Sequence, residues 1–442
     1  SYMRLSREME FHADEVAASV TGSQPMSTVL LRLDLAEHSY STVLDYYNSK
    51  IKDAVKTDNI YPQQQYILQF LGKESQLPFV QELPQVTLNH VSRFNQSKLV
   101  INDQWASHPS IEDRVRRLEN LAYPAGHTDN RIAIFLFQNP GKLQEQLTRF
   151  LFSTVEYKTP EKWIQSNQFI EEFTTRYIAD SFDAKYKKYY DSKDVAAVKE
   201  EDITPEMHGI RTSMEMLFEN KKVDLVYSAY SLARDIATLK IIMEGNHRIR
   251  YFEYDGEKYE PIDCHYLVPS LEKKLDDIKQ ELMLNDQLIF IHFIRLAEEK
   301  NCKEEYLKKY STLVLVDKLY DEYVPLYNQL ITETEFIKEV TPFEEISKNL
   351  KKASETESQI KLKILELLDN SAFALEINEE RLAVFNKYLM KDWVYFIHPE
   401  YDNEALTILF DAMGQFRAAL SEASFRYKKD LLEYQVSLEL EK

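Results

Sequence analysis

Cysteine and glycine are scarce in this sequence, and no apolar run approaches the ~18 residues that a membrane-spanning helix requires. The two cysteines, Cys264 and Cys302, cannot build a disulfide framework and are typical of a protein from a reducing compartment. Only 8 glycines and 14 prolines interrupt 442 residues. Because these two residue types are the usual breakers of regular structure, their rarity favours long helices.

Positive charge is also in short supply. The chain has 54 Lys and Arg against 73 Asp and Glu, a formal net charge of −19, and no long basic stripe interrupts the acidity. Most of this surface would repel a phosphate backbone, so we expect no nucleic-acid partner. Apolar residues make up 44% of the chain and aromatic residues 12%, which is enough to build the cores of two or three domains.

The apolar residues recur at i, i+3 and i+4 through most of the chain, which is the spacing of amphipathic helices. The pattern predicts a mainly α, multi-helix fold with helices at about 2–21, 27–51, 62–72, 85–103, 110–121, 140–155, 160–179, 221–244, 267–332, 343–368, 378–390 and 403–440. One stretch departs from it: RIRYFEYDGEKYEPI alternates residue types about Asp255-Gly256, a strong hairpin signal. We therefore predict one short β-hairpin near 248–262.

A domain boundary is predicted at AYPAGHTDN, residues 122–130, where Pro, Gly, Asp and Asn occur close together. The predicted domains are residues 1–128 and residues 129–442. The second of these contains no motif that assigns a function. Its long amphipathic helices are typical of a packed helical domain that presents a groove to partners or substrates.

The stretch SREMEFHADEVAA, residues 6–18, is the strongest candidate for chemistry. Glu10 and Asp14 are four residues apart in a helical segment, so both carboxylates lie on one face, one turn from each other. Most such pairs lie on solvent-exposed helix faces and have no further role. Two neighbouring acids repel each other unless a cation or a hydrogen-bond donor lies close by. A zinc site with two His and one Glu would supply partners for both acids, with Glu10 as the third ligand.

The same stretch resembles the third-ligand helix of the membrane zinc metalloproteases that include HtpX and the CAAX prenyl protease. The pattern of that family is roughly Ser-Arg-x-x-Glu-(Tyr/Phe)-x-Ala-Asp. The matching positions in this chain are Ser6, Arg7, Glu10, Phe11, Ala13 and Asp14.

A second pattern of the family lies downstream, a Thr-His-Pro with an Arg six residues after the His. The stretch ASHPSIEDRVRRL matches it with His108, Pro109 and Arg114, and has Ser107 in place of the usual Thr. Both patterns occur in the expected order on predicted helical elements, and the resemblance covers about residues 1–121.

The resemblance implies a role for each matched position. Glu10 would be the zinc ligand, and Asp14 would hold a ligand histidine in orientation through its other ring nitrogen. His108 and Arg114 would lie close to the cleft and steady either the substrate carbonyl or the helix that bears Glu10.

The residues alone leave other roles open for two of these positions. Arg114 would equally suit a salt bridge to a nearby acid such as Glu119 or Asp113. His108 would also suit a packing position at the start of a helix.

The His-Glu-x-x-His motif of the family is missing, since none of the ten histidines is followed by Glu. In the family this motif lies upstream and supplies two zinc ligands and the general base. We therefore expect the C-terminal fragment of a zinc metalloendopeptidase, inactive and without zinc on its own. The intact parent would hydrolyse peptide bonds of a protein or peptide substrate with a zinc-activated water. A missing N-terminal region would attach it to a membrane, with this portion cytoplasmic.

Such a fragment would expose apolar surface where the missing helices belong, which favours a possible homodimer. The alternative is a non-catalytic helical scaffold or protein-interaction module, a degenerate protease relative that keeps the fold for binding. Under this alternative, Glu10→Ala and Asp14→Ala would be nearly neutral for function.

Overall fold

A computed structural model of the chain describes residues 2–88, 90, 96–101, 109–125, 132–157, 160–245 and 249–440. The predicted mainly α, multi-helix class is confirmed, because helices dominate and the few strands are two or three residues long. Within these ranges no helix is both long enough and apolar enough to cross a membrane.

The chain forms two compact units. Unit one comprises Ser1–Ser181 and Tyr227–Ile278, and unit two comprises Phe182–Val226 and Lys279–Lys442. These divisions differ from the predicted domains, because the range of unit one includes both sides of residue 128. Residues 126–130 of the predicted linker lie outside the described residues.

The described helices of unit one lie mostly in its first segment. They are α1 (Tyr2–Thr21), α2 (Ser23–Ser49), α3 (Tyr61–Glu74), α4 (Ile111–Leu121), α5 (Pro140–Ser153) and α6 (Ser166–Ala179). Two further helices, α7 (Asn220–Met243) and α8 (Cys264–Glu299), have residues in both units. Side-chain caps set the starts of α4 and α5. Ser110 Oγ accepts a hydrogen bond from the Asp113 N–H, and Asn139 Oδ1 accepts one from the Lys142 N–H.

Short strands connect distant parts of unit one. They are β1 (Val55–Lys56), β2 (Phe79–Val80), β3 (Leu83–Pro84), β4 (Leu99–Val100), β5 (Lys162–Trp163), β6 (Phe252–Tyr254) and β7 (Glu257–Tyr259). β1 pairs in parallel with β5, β2 pairs antiparallel with β3, and β4, β6 and β7 form one antiparallel sheet in that order. The predicted hairpin is present as β6 and β7, with Asp255 and Gly256 both at positive φ in its turn.

Two of the predicted helices are wrong in part. The described residues of 85–103 include the strand β4, and the range 160–179 contains β5 before α6 begins at Ser166. In both cases the strand pairs with a segment far away in the sequence. The spacing of apolar residues within a short window of sequence cannot reveal such a distant partner.

Hydrophobic clusters hold the elements of unit one together. One cluster joins α1, α2 and α4 and consists of Ala18, Leu30, Leu31, Val115 and Leu118. A second packs α2, α3, α5 and α6 around Tyr47 and Phe169, and a third packs α7 and the start of α8 against the hairpin. The first cluster positions the candidate site.

The described part of unit two is again helical. It contains the one-turn helices Pro205–His208 and Met214–Leu217, then α9 (Lys303–Thr334), α10 (Phe343–Asp369), α11 (Glu379–Leu389) and α12 (Asn403–Leu440), with β8 (Phe396–Ile397) antiparallel to β9 (Glu400–Tyr401). Its core packs α9 to α12 around the fully buried rings of Phe373, Phe385 and Phe416.

Asp317 on α9 should make the stability of unit two depend on pH. Burial raises the pKa of this carboxyl to about 6, although Ser424 Oγ donates a 2.7 Å hydrogen bond to Oδ1. The pKa in the unfolded chain is about 3.9, so protonation of Asp317 stabilises the fold fully below that value, and the gain is lost as the pH rises through about 6. We expect hydrogen exchange of α9 to be slower at about pH 5 than at about pH 7 after correction for the intrinsic rate.

Asp317→Asn should remove most of this dependence, whereas Asp430→Asn should retain it. Asp430 forms a surface ion pair with Lys309 and serves as the matched control. Equal pH dependence in the two variants would contradict the assignment to Asp317.

Candidate functional site

α1 presents one face to the interior of unit one. Phe11, Asp14 and Ala18, spaced i, i+3 and i+7, lie on this inward face. Ala18 is fully buried in the cluster with α2 and α4, and its small side chain allows the neighbouring helices to come close. Asp14 is only 3% exposed. A carboxylate buried to this degree needs a charged or hydrogen-bonding partner.

α4 supplies that partner. Ser110 caps the helix, and Val115 and Leu118 are buried in the cluster with α1 and α2. Arg114 lies one position before Val115 and extends its guanidinium from the edge of this buried stripe to α1.

A single guanidinium holds both oxygens of Asp14. Arg114 Nε donates to Oδ2 and Arg114 Nη2 donates to Oδ1, each at 2.7 Å. Arg114 Nη1 lies 3.4 Å from Oε2 of Glu10, one turn earlier on α1. We call these three residues the acid–arginine cluster. Its two-pronged geometry is the strong form of an ion pair and fixes orientation as well as charge.

The acid–arginine cluster keeps its arginine charged. The hydrogen bonds to Asp14 raise the pKa of Arg114 above its ordinary value, and the negative charges of Asp14 and Glu10 add to this effect. Burial of the guanidinium acts in the opposite direction and does not outweigh them. The arginine is therefore a cation at neutral pH and well above it.

Sequence reasoning missed a second arginine between the same two helices. Arg117 donates to Glu15 Oε1 at 2.7 Å, and its guanidinium lies 4.6 Å from the ring centre of Phe11 and 3.5 Å from Glu8 Oε2. The signal was present in the sequence. Arg114 and Arg117 are three apart on α4, and Glu8 and Glu15 are seven apart on α1, so each pair lies along one face of its helix.

The joint between α1 and α2 is closed by the residues that follow α4. Gly22 has a φ of 94°, and a Cβ at this position would lie 2.6 Å from the Cα of Ala125. The Ser23 N–H donates to the Tyr123 carbonyl at 3.1 Å, and Ser23 Oγ accepts from the Tyr123 N–H at 3.0 Å. Glycine is required here both by the backbone conformation and by the close approach. The end of α4 thus helps to set the direction of α1.

The outward face of α1 carries an uncovered apolar stripe. Its members, each more than 60% exposed, are Leu5, Met9, Val16 and Val20. Their spacing of four, seven and four residues places them on one side of the helix. Glu10 follows Met9 and lies at the border between this stripe and the inward face, with its side chain 23% exposed.

The structure thus brings three of the four predicted site residues together. The fourth, His108, lies outside the described residues. The salt bridge left open for Arg114 is formed with Asp14 and Glu10, on another helix, rather than with Glu119 or Asp113. The role of Asp14 toward a ligand histidine stays a prediction, and in the described structure its two oxygens are engaged by Arg114.

The described residues do not complete a zinc site by themselves. They include no group of three or more His, Cys, Asp or Glu side chains that could hold a metal ion. His12 is close in sequence, but its side chain is exposed and lies 3.6 Å from Glu15. A catalytic zinc takes three protein ligands. The acid–arginine cluster can offer one, Glu10, because the oxygens of Asp14 are already bound.

No protein-family model matches the chain, and neither a curated protein nor a solved structure matches it. The case for a function therefore depends on the residues and contacts given above.

Proposed function

We propose that this chain is the C-terminal part of a zinc metalloendopeptidase in which Glu10 is the third zinc ligand. The two histidine ligands and the catalytic Glu would come from a segment outside this sequence. The observation that carries the proposal is the ion pair between Asp14 and Arg114. It joins the two sequence motifs, which are 100 residues apart, at a point next to Glu10.

This ion pair supports Glu10 as a positioned carboxylate. Asp14 fixes α1 to α4 one turn from Glu10, so the backbone at Glu10 is held in place. Arg114 contacts Asp14 at 2.7 Å but Glu10 only at 3.4 Å. Glu10 is therefore the acid that this arginine holds less tightly. A ligand carried on a helix whose backbone is fixed in this way is suitable for a metal site.

The apolar stripe on α1 supports a further helix packed against its outward face. Exposed apolar side chains at helical spacing are the usual sign of a missing partner surface. Glu10 borders this stripe, so its carboxylate would lie at the edge of the added interface. In the proposed enzyme the added helix would carry the His-Glu-x-x-His motif. When that helix is absent, the same stripe would favour the predicted homodimer.

The remaining parts of the proposal concern substrate and location. The substrate class is protein or peptide, and Arg114 would lie beside the cleft as the positioning residue of the α1 helix. Cys264 and Cys302 are both free thiols, which supports a reducing, cytoplasmic location for this portion. Attachment to a membrane would be through the region upstream.

Hydrolysis of casein by the protein expressed from its complete gene tests the proposal. We expect cleavage that 1,10-phenanthroline abolishes and added zinc restores. The 442-residue chain alone, assayed in parallel, should not cleave casein. A complete gene product that encodes no His-Glu-x-x-His and cleaves nothing, with or without zinc, would contradict the proposal.

A non-catalytic scaffold is the second candidate, and one observation favours it. Arg114 binds both oxygens of Asp14 and contacts Glu10, so the acid–arginine cluster can also serve a purely structural role in joining α1 to α4. Under this reading Glu10→Ala would leave partner binding by the complete protein unchanged. It would also leave the zinc content unchanged.

A further inference from the structure

The segment from Ile132 to Ser153 in unit one exposes large apolar side chains on and just before α5. Leu136 is 84% exposed and Phe150 is 71% exposed, and Phe137 and Leu147 are about half exposed. Leu136 and Phe137 come directly before the helix, and Leu147 and Phe150 lie within it. We call these four residues the α5 apolar surface. Exposed apolar side chains that share one face mark an interaction site, and Leu147 and Phe150 share a face of α5.

The helical geometry places a continuous stripe on the solvent side of α5. Leu147 and Phe150 are about 60° apart around the helix, and the half-buried Leu143 lies between them at a rotation of about 100° per residue. The opposite side of the helix is buried through Thr148 and Phe152, which pack against the interior of unit one. The stripe is therefore separate from the core and open to a partner.

The charges beside the stripe indicate what that partner is. Within residues 132–153 there are two basic residues, Lys142 and Arg149, and one acid, Glu145, although the whole chain has a net charge of −19. Lys142 and Arg149 are both exposed and differ by only about 20° around the helix, which places them together along one edge of the stripe. Glu145 lies about 140° from Phe150 but only about 40° from Arg149 and 60° from Lys142, so it borders the basic edge on the side away from the stripe.

We infer that the α5 apolar surface inserts into the interface of a bilayer that contains anionic lipids. An amphipathic helix with Phe and Leu on one face and Lys or Arg beside them is the usual form of an interfacial membrane contact. The basic edge would meet lipid headgroups while the rings enter the acyl boundary. The stripe on α1 differs in this respect, because the charged residues beside Met9 are the acids Glu8 and Glu10, each about 100° from it around the helix.

The strongly acidic total charge does not prevent this contact. Charges are screened beyond a Debye length of about 8 Å at physiological salt, so acids elsewhere on the molecule act weakly on the headgroups. The two basic residues and one acid of residues 132–153 leave a local surplus of one positive charge, which favours anionic headgroups. This inference is independent of the proposed zinc chemistry, since it uses no residue of the acid–arginine cluster.

Co-sedimentation of the 442-residue chain with vesicles tests the inference. We expect binding to phosphatidylcholine vesicles that contain phosphatidylserine, and clearly weaker binding to phosphatidylcholine alone. Phe150→Glu and Leu136→Glu should each lower the partition coefficient at least about tenfold, because each removes a large apolar side chain from the interface and adds a repelled charge. Lys142→Gln and Arg149→Gln should each lower it about fivefold, and only on anionic vesicles.

Leu362→Glu is the matched control, since Leu362 is similarly exposed on α10 in unit two and lies outside the α5 apolar surface. It should bind vesicles like the parent chain. All of these side chains are exposed, so the variants should fold normally, and circular dichroism will verify this. The inference is overturned if the parent chain binds vesicles equally with and without phosphatidylserine, or if Phe150→Glu binds vesicles as strongly as Leu362→Glu does. A third result would also overturn it: the parent chain self-associates and binds no vesicles, and Phe150→Glu abolishes the self-association. The partner of the α5 apolar surface would then be a second copy of the chain.

Discussion

Arg114→Ala should lower the free energy of local opening of α1 by about 3 kcal/mol. The reason is the carboxylate that it leaves behind: Asp14 is 3% exposed and takes both of its hydrogen bonds from this guanidinium. Removing one partner of a buried ion pair leaves the other charge buried without a partner. This typically lowers stability by ~3–5 kcal/mol. We take the lower end of that range because the Arg114 side chain is itself 19% exposed. Hydrogen exchange of the α1 amides, measured by mass spectrometry, reports this local opening directly.

The matched control for this variant is Arg117→Ala on the same helix. Arg117 pairs with Glu15, but both side chains are more exposed than Asp14, at 35% and 24%. Partly solvated pairs of this kind contribute about 0–1 kcal/mol. The double variant Asp14→Ala with Arg114→Ala should be less destabilised than the sum of the single variants, because neither charge is stranded. If Arg114→Ala and Arg117→Ala increase exchange equally, the acid–arginine cluster has no special role in holding α1.

Glu10→Gln should lower kcat/KM for casein by more than about 100-fold in the protein expressed from its complete gene. Loss of a residue that merely orients a zinc ligand costs about 10–100-fold, and loss of the ligand itself should exceed this. The substitution leaves the Asp14–Arg114 hydrogen bonds in place, so stability should change by less than about 1 kcal/mol. A fall in activity without a fall in stability would separate metal binding from a structural role.

Glu8→Gln provides the control for that experiment. Glu8 lies on α1 close to Glu10, its side chain is 48% exposed, and it contacts Arg117 at 3.5 Å. It should hydrolyse casein as the parent protein does. Equal activity of Glu10→Gln and Glu8→Gln would remove Glu10 from the metal site and favour the scaffold.

The helices of this chain follow from local sequence to a large extent. The cap at Ser110, the cap at Asn139 and the turn at Asp255-Gly256 are all decided by residues within a few positions. Each is a local competition for backbone hydrogen bonds, so a short window contains the needed information. The same reasoning fails for β4 and β5, whose partners lie more than 100 residues away.

The candidate site shows the same limit. The four-residue spacing of Glu10 and Asp14 correctly places both acids on the side of α1 that Arg114 reaches. The acids that the sequence suggests for Arg114, Glu119 and Asp113, are five residues and one residue away on its own helix, and neither spacing brings two side chains together. The actual partner is set by the packing of α1 against α4 through Ala18, Val115 and Leu118. Only the three-dimensional arrangement reveals that packing.

The zinc content of the protein expressed from its complete gene tests the central claim most directly. Plasma mass spectrometry after exhaustive dialysis would compare the parent protein with the Glu10→Gln and Glu8→Gln variants. The claim that Glu10 completes a zinc site predicts about one zinc per chain in the parent protein and in Glu8→Gln, and a large loss in Glu10→Gln. A parent protein without zinc, or a Glu10→Gln variant that retains it fully, would contradict the claim.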